Sequence, residues 1–103
     1  MFAVIYTFTV KENRNKDFIK GWKGLTQLIY EYEGSLGSRL HMKSKNEYVA
    51  YAQWPDKSTW ENAGGHLPEM ANSSSRLMKE SCEKIETLYE LEVLEDLTQS
   101  RSF

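Results

Sequence analysis

The sequence predicts an α+β sandwich, a four-stranded antiparallel sheet with helices over one face, in the order β-α-β-β-α-β. Three observations predict it. An apolar, β-branched and aromatic run opens the chain from Phe2 to Val10. A long stretch, Asn15 to Tyr32, keeps a helical period. Between Gly37 and His66, two strand-like segments flank a polar turn and then run through Trp54-Pro55 into a short helix. At 103 residues the chain is read as one domain over residues 1–97, followed by a polar tail, Thr98 to Phe103, expected to fray.

Phe2 to Val10 alternates. Phe2, Val4, Tyr6, Phe8 and Val10 fall on one face, and Ala3, Ile5, Thr7 and Thr9 on the other. It lacks the basic start and cleavage site of a signal peptide, so it is read as a strand. The polar loop KENRN follows, with Asn15 as a candidate cap. In the helix after it, Phe18, Trp22, Leu25, Ile29 and Tyr32 form one stripe. Gly21 and Gly24 lie inside that helix at a cost of about 1 kcal/mol each against Ala, which implies close approach to the sheet or room for a ligand. Gly34 is placed to end it.

Ser35 to Met42 and Tyr48 to Trp54 form a hairpin around Lys43 to Glu47, with Asn46 where positive φ is tolerated. Pro55 stops the second strand. Asp56 and Ser58 are both candidate N-caps for a helix reaching Ala63, with Glu61 in capping-box spacing from Ser58. Gly64-Gly65 breaks this helix. A second one is expected from Leu67 to Glu83, weakened in the middle by Asn72 to Ser75. Ile85 to Leu97 is the last strand, with Tyr89 and Leu91 on one face and Leu88, Glu90, Glu92 and Leu94 on the other. This order makes a ferredoxin-like split βαβ sandwich, whose bare sheet face (Ala3, Ile5, Leu88, Leu94) calls for a second copy, a homodimer.

Composition narrows the function. A net charge of −2 with no basic run gives no reason to expect nucleic acid. No apolar run approaches the roughly 18 residues of a membrane span. A single cysteine, Cys82, precludes an internal disulfide and any cysteine-cluster metal site, and a cytoplasmic protein is the default expectation. Cys82 follows a helical apolar period and reads as an inert thiol.

With these elements in place the chain resembles the antibiotic biosynthesis monooxygenase (ABM) superfamily of dimeric α/β barrels. The residues that carry the resemblance are Phe8-Thr9-Val10, a polar loop and Phe18; Ser38-Arg39-Leu40; and Tyr48-Val49-Ala50-Tyr51-Ala52-Gln53-Trp54 with Asp56, Trp60 and His66. Many members carry a Glu two residues before the strand-ending Trp, where this chain has Ala52. The resemblance implies two ferredoxin-like subunits sharing a barrel, each with a pocket between sheet and helices. It also implies oxygenation of a small aromatic or quinol-like molecule by molecular oxygen, with no metal, flavin or haem. Haem degradation is disfavoured: that branch's Asn falls at Tyr6, its Trp near Ala63, and its His in the Asn72 to Ser75 run.

The candidate catalytic residues are Tyr6 and His66. Tyr6 is either a hydrogen-bond donor to a substrate carbonyl or a core tyrosine on a backbone carbonyl. His66 is either a base taking a substrate proton or an exposed capping histidine. Trp22, Trp54 and Trp60 are candidates for a substrate-binding aromatic lining, with plain core packing as the alternative for each. His41 is expected to face solvent or a partner subunit, and Arg39 to pair either an acidic substrate or, preferably, Glu90 or Glu92 across the dimer. Three functional readings stand at this point: an ABM-type monooxygenase, a non-catalytic small-molecule-binding or stress-associated dimer, and an isomerase or decarboxylase on the same scaffold.

Overall fold

A computed structural model describes residues 1–98. The polar tail foreseen from Thr98 to Phe103 lies almost wholly outside the described residues. The elements are β1 (Phe2–Val10), α1 (Asn15–Tyr32), β2 (Gly37–Ser44), β3 (Glu47–Trp54), α2 (Lys57–Glu61), α3 (Ala71–Glu80) and β4 (Cys82–Glu92). The four strands form one antiparallel sheet in the order β2-β3-β1-β4, as the ferredoxin-like reading requires.

The helices cover the face that carries Phe2, Val4, Tyr6, Phe8 and Val10. Two apolar clusters lie between the layers. One gathers Phe8, Val10, Phe18, Tyr48, Ala50, Met78 and Cys82; the other gathers Phe2, Val4, Ala52 and Trp54. Phe18 is fully buried against Phe8 and Tyr48, with ring centroids 5.0 and 4.9 Å away. Burying a ring of that size stabilises the fold by about 1.5–3 kcal/mol. Tyr6 packs against both clusters and marks the seam between them.

Several boundaries differ from the sequence reading for identifiable reasons. Asn15 does not cap α1; its side-chain amide donates to the Lys45 carbonyl and the Tyr48 hydroxyl, tying the helix start to the hairpin. Gly21 and Gly24 admit α3, not the sheet. A β-carbon at Gly21 would sit 2.6 Å from Met78 N, and one at Gly24 2.5 Å from Ser74 Oγ. The Asn72 to Ser75 run therefore stays inside α3, its small side chains allowing close helix contact. Gly34 adopts φ +81° just past α1, the left-handed stop expected there. Asn46 has no positive φ; among the described non-glycine residues Asn13 does. Asp56, not Ser58, caps α2: its carboxylate accepts from the Thr59 N–H at 2.7 Å. Residues 67–70 lie outside any helix, and a turn at Glu69 and Met70 is closed by Ala71 N–H on the Pro68 carbonyl.

The last strand is displaced toward the N-terminus. β4 begins at Cys82, so the cysteine lies on a strand, and ends at Glu92 opposite Phe2, with one further bond from Val93 N–H to the Met1 carbonyl at 2.9 Å. A bulge at Leu88 interrupts its alternation: Tyr89 stands opposite Ile5 and Thr87 opposite Tyr6. Tyr89 and Leu91 thus join Ile5 and Ala3 on the outer face, while Glu90, opposite Val4, turns to the helix side. Glu90 therefore does not share a face with Arg39, which lies in the row of Tyr51, Ile5 and Tyr89.

Candidate active site

The seam at Tyr6 is not filled. On β3 the helix-facing row is Tyr48, Ala50, Ala52, Trp54, and its two central alanines leave room beneath α1. Beside that space a cavity of about 670 Å³ opens toward α2 and the loop after it, lined by Tyr6, Ile29, Trp54, Trp60, Leu67 and Glu90 among others. The space at Ala52 beneath α1 is a smaller cavity of about 240 Å³, which shares Tyr6, Ile29 and Trp54 with the first and reaches Trp22, Leu25 and Met78.

The polar heart of the larger cavity is a hydrogen bond from Trp60 Nε1 to the Tyr6 hydroxyl at 2.8 Å. Asp56 positions Trp60 by capping the short helix, and the Phe2 ring packs beside the indole at 5.7 Å. An indole N–H can only donate, so the Tyr6 oxygen is the acceptor in this bond. Its own proton has no acceptor among the described residues and remains available to donate. Burial pushes the Tyr6 phenol above its ordinary range; the Trp60 bond opposes that and the charge of Glu90 adds to it. Tyr6 is therefore a neutral phenol at neutral pH. Trp54 is 4% exposed, and its indole nitrogen, on the same wall, lacks a partner among the described residues.

Tyr6, Trp54 and Trp60 are brought onto one cavity and Trp22 onto the adjoining one. His66 is placed elsewhere. Its ring Nδ1 lies 3.1 Å from Glu33, and it borders a separate hollow of about 360 Å³ with Tyr32, Ser58 and Asn62. Its side chain is 73% exposed while that of Glu33 is 1% exposed. Glu33 also accepts the main-chain N–H groups of Gly64 and His66, at 2.8 and 3.1 Å, and so pins the loop that carries Gly64 and Leu67 into the cavity wall.

Two carboxylates were not legible as site residues. Glu90 reaches the cavity only because of the bulge at Leu88, which no glycine or other breaker announces. Glu33 looks like one more acidic residue at a helix end. Cys82 is buried, which pushes its thiol up to about 11 against a small opposing effect from Lys11. It stays protonated at neutral pH and has no part in this site. Among the described residues no group of three or more His, Cys, Asp or Glu is placed to hold a metal ion, and no helix is long and apolar enough to cross a membrane.

Fold and site together define a ferredoxin-like α+β protein with an aromatic, phenol-bearing cavity beneath its helices. The family model described as antibiotic biosynthesis monooxygenase (ABM) matches residues 1–67, and the chain belongs to that family. Among solved structures it is similar to SnoaB, a cofactor-independent oxygenase from Streptomyces nogalater, with a TM-score of 0.74 at 15% identity over 95% of this chain and 97% of that one. It is also similar to Rv0793 from Mycobacterium tuberculosis, with a TM-score of 0.72 at 12% identity over 94% and 98%. At such identities the likeness concerns the fold. No curated protein matches the chain significantly.

Proposed function

We propose that this protein is a cofactor-independent monooxygenase acting on a small aromatic or quinol-like molecule bound in the Tyr6–Trp60 cavity, and that it works as a homodimer. The observation that carries the reading is the uncommitted Tyr6 proton, aimed by the Trp60 bond in an aromatic-walled space. Family membership and the likeness to an oxygenase support it.

The chemistry asks little of the protein beyond placement. A ring-activated methylene next to a conjugated carbonyl loses a proton, and the resulting enolate passes electrons to oxygen and forms a C–O bond. The hydroperoxide then loses water. In balance, one methylene and one molecule of oxygen give one carbonyl and one molecule of water. Tyr6 donates to the enolate oxygen as charge gathers there. Trp54 and Trp60 hold the ring beside Tyr6. We leave His66 out of this chemistry, since its ring is turned onto Glu33.

That same displacement of the imidazole favours the second reading, a binding protein without catalysis. Oxygen uptake with anthrone and 1,4-naphthohydroquinone, alongside tryptophan fluorescence for binding, separates the two. Wild type is expected to consume oxygen, and Tyr6→Phe to lose about 10²-fold in kcat, the cost of one oxyanion donor. Uptake indifferent to Tyr6→Phe removes Tyr6 from the mechanism. Binding without uptake leaves the binding reading.

A further inference from the structure

Glu90 stands on the cavity wall without a structural duty that explains it. Opposite it on β1 is Val4, fully buried, and a carboxylate adds no packing there. Its one ion pair among the described residues, to Lys57 at 3.8 Å, is half-exposed on both sides, and pairs of that kind contribute little to stability. The bulge at Leu88 turns it from the outer face to the helix face. There it shares a lining with Tyr6, Trp54 and Trp60, and it is close enough for its charge to act on the Tyr6 phenol. A donor and a carboxylate thus border the same aromatic space.

We infer that Glu90 is the general base of this cavity, and that the substrate is an aromatic carbonyl compound whose oxygen accepts from Tyr6 while an acidic hydrogen of the same conjugated system faces Glu90. The inference rests on the monooxygenase reading and deepens it. The substrate C–H or O–H bond breaks, its electron pair stays on the ligand as an enolate or phenolate, and the proton becomes the O–H of Glu90. Molecular oxygen, the co-reactant, accepts the electrons. The peroxide anion formed on the ligand takes the proton back, so Glu90 is restored as a carboxylate and Tyr6 keeps its own proton throughout. A bound substrate with only a donor edge, or with no acidic hydrogen, uses half of this arrangement and reacts slowly.

The titratable groups around Glu90 are Tyr6 on β1, Lys57 and Glu61 on α2, and Glu92 on its own strand; Ile29 of α1 brings none. The test is the pH dependence of anthrone-driven oxygen uptake in wild type, Glu90→Gln, Glu90→Asp and the neighbouring Glu92→Gln, with anthrone binding followed by tryptophan fluorescence and folding by circular dichroism. Glu90→Gln is expected to lose roughly 10²-fold in kcat and the acidic limb of the profile. Its KM should stay within about threefold, since the lost contact is made to the transferring proton. Glu90→Asp keeps the limb at reduced kcat, and Glu92→Gln behaves as wild type. A Glu90→Gln enzyme with wild-type kcat, or one in which only KM rises, overturns the inference and leaves the monooxygenase reading standing. A wild type that consumes no oxygen overturns that reading first, and this one with it.

Discussion

Glu33 illustrates how one side chain can set the shape of a site it does not enter. Burial alone would raise its carboxyl. Hydrogen bonds from the His66 main chain and ring and from Gly64 N–H outweigh that and hold it below the ordinary carboxylate range. A group depressed in the folded state stabilises fully above its unfolded value of about 4.3, and the stabilisation is lost as pH falls through the folded value. Urea unfolding should therefore show wild-type stability declining below about pH 4, with a shallower decline in Glu33→Gln. At neutral pH that variant should be less stable by about 1–3 kcal/mol, since charged hydrogen bonds become neutral ones around a buried group. Glu12, Asp56 and Asp96 are depressed as well, so some acid sensitivity remains in the variant. Equal acid dependence in the two proteins would show that Glu33 does not hold the loop.

At the level of helices and strands, the contact between α1 and α3 is the most exacting. Both glycines of α1 face α3, yet they differ in what they meet. Gly21 abuts Met78 main chain and the Ser74 carbonyl, which cannot swing away. Gly24 meets only the Ser74 side chain, whose hydroxyl can rotate and whose Cβ, at 3.3 Å, has to give by a few tenths of an ångström. Gly21→Ala should thus push the helices apart and destabilise by about 1–3 kcal/mol. Gly24→Ala should be near neutral or stabilising, because alanine gains up to about 1 kcal/mol of helix propensity. Thermal unfolding of the two variants distinguishes them; equal losses would mean that α3 is free to shift as a body. The bulge in β4 is the other decisive element. By inserting one extra residue at Leu88 it assigns Tyr89 and Leu91 to one face and Glu90 to the other.

For the whole molecule, the outer sheet face sets the expectation. Ile5, Tyr89 and Leu91 share it, and Tyr89 is 60% exposed in the single chain. Beyond the sheet, Leu94 and Leu97 also stand in solvent. Exposed apolar residues grouped on one sheet face are the usual setting for a protein–protein interface. On our proposal a second copy covers it, and sedimentation should give twice the chain mass. Leu91→Lys should shift the protein toward monomer without disturbing the helix-side cavity, because Leu91 faces away from it. A wild-type protein that sediments as a monomer at micromolar concentration would remove the dimer from the proposal.

Periodicity and breakers were enough for the architecture. The Phe18 to Ile29 stripe, the alternation of Phe2 to Val10 and the stop at Trp54-Pro55 are local patterns, and local patterns specify elements and the faces they bury. Strand parity also put Tyr6 and the strand-ending Trp54 on the covered side, but the sequence paired Tyr6 with His66, and its meeting with Trp60 is a contact between distant segments. Face assignment along β4, by contrast, came from its partner. A strand's alternation holds only until its ladder takes up an extra residue, and the need for one at Leu88 arises in the pairing with β1, not in the residues themselves. The position of His66 has the same origin: its ring follows a carboxylate more than thirty residues earlier in the chain, which the packing of α1 holds against the loop. Short-range preference is written in neighbouring residues, whereas the meeting of a phenol, an indole and a carboxylate depends on contacts between segments that no window of the chain contains.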